Sequence, residues 1–91
     1  IADVAGKGIP GAIVMASVRS MIRGEVEDAY TVSKVVRTVN RALCRDATEG
    51  QFVTLFFATY DASTRRLRYT NAGHCEPILI RSGEYCFLEE G

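Results

Sequence analysis

Ninety-one residues allow one small domain at most, and 47% hydrophobic with 24% charged residues is the composition of an ordinary soluble globular chain. Eleven basic and eleven acidic side chains cancel, so no global field recruits nucleic acid or a membrane surface. No run approaches the ~20 apolar residues of a membrane span, and no stretch reads as a signal peptide.

Ile1-Ala2-Asp3-Val4-Ala5 reads as a buried strand that carries one carboxylate, Asp3, to its end. Gly6-Lys7-Gly8-Ile9-Pro10-Gly11 then breaks the strand and restarts as a helix behind Pro10, which has no N–H to waste in a first turn. A corner of this kind gathers backbone dipoles and a fixed charge at one point, where ions and phosphates bind. The spacing Gly6-x-Gly8-x-x-Gly11 is that of a dinucleotide fingerprint. That motif needs the helix to be followed by a strand ending in an acidic residue ~20 positions on. Here Glu25-Val26-Glu27-Asp28 lies in a polar connection before a second helix. A P-loop fails as well, because Lys7 is followed by Gly8 rather than Ser or Thr. Two readings of Asp3 stay open. It either caps the turn through backbone N–H groups or binds a metal ion, which would offset the cost of a carboxylate in an apolar strand.

From Gly11 to about Arg23 the pattern is helical, with Val14, Met15, Val18, Met21 and Ile22 at helical spacing. The first half of this helix is apolar nearly all round and is expected to be buried, with Gly24 ending it. Asp28 or Thr31 can cap a second helix over about 32–45. Val32, Val35, Val36, Val39 and Leu43 form its stripe, with Lys34, Arg37 and Arg41 opposite. Residues 46–50 read as a loop.

The period then changes. Residues 52–60 are aromatic and β-branched, apolar on both faces, and predict a central, covered strand. After the turn at 61–64, Leu67 and Tyr69 alternate with Arg66, Arg68 and Thr70 in a half-buried partner. The Arg65, Arg66, Arg68 cluster reads as a solvated strand face. Residues 77–81 and 85–88 around Ser82-Gly83 make another hairpin. Strand, helix, helix and antiparallel meander define an α+β fold.

Cys44, Cys75 and Cys86 contain no C-x-x-C pair, and His74 is the single histidine, so a zinc site is not expected. Free thiols in a reducing, cytoplasmic setting fit better. His74 and Cys75 are adjacent, hence on opposite faces of any strand, and cannot pair as base and nucleophile there.

Four segments together resemble the SpoIIE-type branch of the protein phosphatase 2C superfamily, the bacterial metal-dependent serine/threonine phosphatases of sporulation and stress signalling. They are residues 1–12, Val39-Asn40-Arg41, residues 52–56 and Tyr69-Thr70-Asn71-Ala72-Gly73-His74-Cys75-Glu76-Pro77. The resemblance implies a β-sandwich flanked by helices with two manganese or magnesium ions at one end of the sheets. It implies that Asp3 bridges both ions and that the Val4 carbonyl reaches one of them. Hard divalent cations prefer such oxygen donors, and a shared carboxylate suits a pair roughly 3.5–4 Å apart. Gly6 and Gly8 would shape the loop that aims Val4 inward. Asn71, Gly73 and His74 read as a structural turn, with a catalytic role for His74 kept beside that reading.

The family's upstream acidic motif and its downstream aspartates do not occur in residues 1–91, so the chain reads as the central portion of one phosphatase domain, truncated at both ends and inactive alone. The implied substrate of the parent is a phosphoprotein, by family analogy an anti-sigma-factor antagonist. A regulatory or sensor domain would act through the helical pair. The alternatives are a silent pseudophosphatase or phosphoprotein-binding adaptor, and further off a nucleotide-binding module. Apolar side chains on both faces of residues 52–60 also predict self-association of the isolated piece.

Overall fold

A computed structural model describes residues 1–5, 8–26, 32–46 and 50–89. Seven elements follow one another: β1 (Ala2–Val4), α1 (Gly8–Val26), α2 (Val32–Asp46), β2 (Val53–Asp61), β3 (Arg66–Ala72), β4 (Ile78–Arg81) and β5 (Glu84–Phe87). The fold is α+β, as the order of patterns predicts. The strands fall into two antiparallel sheets, a three-stranded one ordered β1-β2-β3 and the separate hairpin β4-β5. The predicted meander is therefore divided between sheets. Among the described elements the hairpin packs only on itself, which draws the molecule out to 42 × 28 × 19 Å.

The helices cover one face of the larger sheet. Val18 of α1, Val35 and Val39 of α2 and Leu55 of β2 are the buried apolar residues among those described. Each valine falls on the stripe expected from helical spacing, and Leu55 meets Val18 and Val39 from the sheet. Alternation along β2 sends Val53, Leu55 and Phe57 to this helical side and Thr54, Phe56, Ala58 and Tyr60 to the other. The second face carries a tilted Phe56–Tyr69 contact with ring centroids 5.7 Å apart, yet neither described helix covers it. Strand β2 is central in the sheet, as its composition predicts, but it is covered on one face only, and Tyr60 is 64% exposed.

Helix α1 differs from expectation in three ways. It starts at Gly8 rather than Gly11, it runs through Gly24 to Val26, and its first half is not buried all round. Ala12, Ile13 and Ala16 are exposed, because β1 and α2 lie against one side of the helix only. A glycine inside a helix costs about 1 kcal/mol, too little to end a helix held by packing. The proposed caps Asp28 and Thr31 lie outside the described residues, as do Gly6, Lys7 and most of the 46–50 loop.

Two turns define the strand ends. Ser82 and Gly83 both have positive φ, 51° and 79°, the signature of the two-residue hairpin turn whose twist matches the strands. At the β2–β3 turn, Asp61 Oδ1 accepts the Ser63 N–H at 2.9 Å and the Ser63 hydroxyl at 2.7 Å. Hydrogen bonds from the Ser63 side chain and from the Ser63 and Thr64 backbone hold the Asp61 carboxyl below the usual aspartate range. Arg65, Arg66 and Arg68 are exposed there, as a solvated strand face requires.

Candidate metal centre

Asp3 is exposed on β1, an edge strand of the larger sheet. The register pairs Ala2 with Leu55, Asp3 with Thr54 and Val4 with Val53. Ala2 and Val4 therefore share the helical side with Leu55 and Val53, while Asp3 stands on the helix-free face beside Thr54. The ladder's phase fixes the backbone as well. Phe56 N–H donates to the Ile1 carbonyl at 2.8 Å, and Ala5 N–H donates to the Phe52 carbonyl at 2.8 Å. In an antiparallel pair such bonds recur at every second residue, so Ile1, Asp3 and Ala5 face β2. Val4, between them, turns its carbonyl out of the ladder at the open edge.

Two hard oxygens, one carboxylate and one carbonyl, thus come from consecutive residues at the strand end. Among the described residues the Asp3 carboxylate accepts no hydrogen bond that would mark it as a turn cap. This donor set suits magnesium or manganese and not a soft-ligand metal. Among the described residues no group of three metal-ligating side chains assembles, so further ligands would have to come from beyond Asp3 and Val4. The chain leaves β1 for α1 through Gly8, whose φ of +77° lies in the left-handed region. A side chain there would meet no atom within 4 Å of its Cβ, so the cost to other residues is backbone strain alone. Gly6, the other loop residue, lies outside the described part.

The segment 71–75 closes the same end of the face. Asn71 Oδ1 accepts the His74 N–H at 2.7 Å, and Asn71 Nδ2 donates to the Cys75 carbonyl at 3.5 Å. Gly73 takes φ +73° and bridges to Leu55, which swings the following residue back over β2. The structural reading of Asn71 and Gly73 holds. His74 differs from expectation, because its ring has a side-chain partner that sequence reasoning missed. Its Nδ1 lies 2.9 Å from Thr54 Oγ1. No local signal joins residues 54 and 74; only the strand register brings them together. Cys44, Cys75 and Cys86 are free and exposed.

Asp3 thus stands on the open face of the helix-backed sheet, with the Val4 carbonyl turned outward at the strand edge. The chain belongs to the SpoIIE family, described as Stage II sporulation protein E, whose match runs over residues 1–91. It is also similar to the phosphoserine phosphatase RsbU of Bacillus subtilis (strain 168), at 34% identity over 74 residues. That alignment takes in 81% of this chain but 22% of RsbU, so the chain spans about a fifth of that relative's length. No solved structure matches. No helix among the described residues is long and apolar enough to cross a membrane.

Proposed function

We propose that the chain is the central part of a metal-dependent phosphatase domain that hydrolyses phosphoserine or phosphothreonine in a protein substrate, in signalling that controls sigma factors. The observation that carries this reading is the pair of oxygens at the end of β1, with Asp3 on the open face and the Val4 carbonyl turned out of the ladder. Membership of the SpoIIE family and the likeness to a phosphoserine phosphatase support it. By the same analogy the substrate is an anti-sigma-factor antagonist, and a regulatory or sensor domain acts on the α1–α2 pair.

Asp3 and Val4 would hold manganese or magnesium, which when bound supplies an activated water and offsets charge on the phosphoryl oxygens. The chain's own residues position that chemistry. The β1–β2 ladder fixes the direction of Asp3, and Gly8, at φ +77°, begins α1. The phosphoryl group passes to water, so none of the three exposed thiols is needed as a nucleophile. The test is phosphate release from a phosphoserine peptide by the full-length protein with Mn2+ or Mg2+. Release that is abolished by EDTA and restored by Mn2+ is the expected result. Peptide binding without release would instead favour the adaptor reading.

A further inference from the structure

We infer that the far end of the β2–β3 ribbon is a docking site for an extended protein segment with anionic side chains at alternate positions, held by Arg66 and Arg68. The site is independent of Asp3 and of any metal.

The register builds it. Arg66 pairs with Asp61 and Arg68 with Thr59, so these four side chains leave one face of the sheet. That face is the helical side, opposite Asp3, at a point the described helices do not reach. A cleft of about 260 Å³ lies there, lined by Thr59, Tyr60, Asp61, Thr64, Arg66 and Arg68. Its one carboxylate is turned away from the arginines. Asp61 Oδ1 accepts the Ser63 N–H at 2.9 Å, the Ser63 hydroxyl at 2.7 Å and the Thr64 N–H at 3.4 Å, which folds it back on its own turn. Both arginines are exposed, and neither guanidinium has a hydrogen-bond or ion-pair partner among the described residues.

Chemistry then selects the occupant. Two residues apart on a strand, Arg66 and Arg68 stand about 6.8 Å from each other along β3. An extended peptide repeats the side chains of one face at the same interval, so anionic residues at i and i+2 meet one guanidinium each. The Thr59 and Thr64 hydroxyls supply further donors in the cleft for a carboxylate or phosphate oxygen. A nucleic acid fits less well. Two paired charges on residues that sum to no net charge give no continuous basic track for a phosphate backbone.

The experiment measures fluorescence anisotropy of short labelled peptides on the full-length protein in EDTA, which keeps a metal at Asp3 out of the readout. One peptide alternates Glu with Thr, a second phosphoserine with Thr, and a third Gln with Thr. The two anionic peptides should bind and the Gln peptide should not; the tighter of the two identifies the anion. Arg66→Gln/Arg68→Gln should weaken binding about fivefold or more, the effect expected of two exposed ion pairs. Glutamine sets no like charge opposite Asp61, so the variant keeps the strand pairing. Arg37→Gln/Arg41→Gln removes the same charge from the exposed face of α2 and should change binding less than about twofold. Equal weakening by the two double variants, or parent-like binding by Arg66→Gln/Arg68→Gln, overturns the site. Should that variant not fold, the unmodified protein still decides, because a Gln peptide that binds as tightly as the anionic ones also overturns it. A uridine oligonucleotide that binds more tightly than either peptide overturns the choice of a protein partner.

Discussion

Asp3 and Thr54 face each other across the β1–β2 ladder, on the side of the sheet that the helices leave open. The pairing puts a hydroxyl opposite an exposed carboxylate, and His74 ties that hydroxyl to the turn after β3. The helical side of the same ladder carries stability instead, through Leu55 and the valines of α1 and α2. One strand therefore serves the core with one set of side chains and the candidate site with the other.

That division predicts unequal costs along β2. Leu55 is 6% exposed under the helices, whereas Tyr60 is 64% exposed at the strand's far end. Leu55→Ala should lower the stability of the full-length protein's phosphatase domain by about 2–4 kcal/mol, from lost burial plus a cavity. Tyr60→Phe should change it by less than about 0.5 kcal/mol, as a surface substitution. Urea unfolding midpoints check both, and equal effects would contradict the assigned core.

Asp61 gives a pH signature. Its carboxyl titrates below the ordinary value of 3.8, because Ser63 and Thr64 hydrogen-bond the charged form. A depressed folded pKa stabilises the fold above the unfolded pKa, and that stabilisation is lost as pH falls through the folded value. Asp61→Asn keeps an acceptor but does not titrate. The parent should therefore be the more stable at pH 7, with the gap closing below about pH 4. A stability difference that stays constant between pH 7 and about pH 2.5 would rule this out.

Residues 1–91 expressed alone should associate. Cross-strand pairing puts Ile78, Ile80, Tyr85 and Phe87 on one face of the β4–β5 hairpin, and Ile80 and Tyr85 are 74% and 70% exposed. The edge of β1 and the helix-free face of β2 add further unpaired surface. Light scattering at micromolar concentration should show dimers or larger species. A compact monomer with a cooperative melt would contradict this.

Much of this arrangement was legible in the sequence because it is local. The apolar stripe of α2, the Asp61 turn, the Ser82-Gly83 hairpin and the strand that ends in Asp3 all follow from spacing and turn chemistry. The two ends of α1 were not legible, because Gly8 and Gly24 weaken a helix locally while packing against β1 and α2 decides its length. The division of the meander into two sheets depends on which strand edges meet, which alternation does not encode. His74 shows the same limit. Its backbone role follows from the neighbouring Asn71 and Gly73, but its ring partner Thr54 lies on another strand and emerges only from the register.

The central claim is that Asp3 binds the catalytic metal, and replacing its carboxylate with an amide tests it most directly. In the full-length protein, Asp3→Asn should leave the thermal melt without metal unchanged within about 2 °C, since Asp3 is exposed and belongs to no buried contact. Mn2+-dependent release of phosphate from a phosphoserine peptide should fall at least a hundredfold, the loss of about 2.7 kcal/mol of transition-state stabilisation. Retention of more than about a tenth of the activity, a loss of only ~1.4 kcal/mol, would contradict the claim.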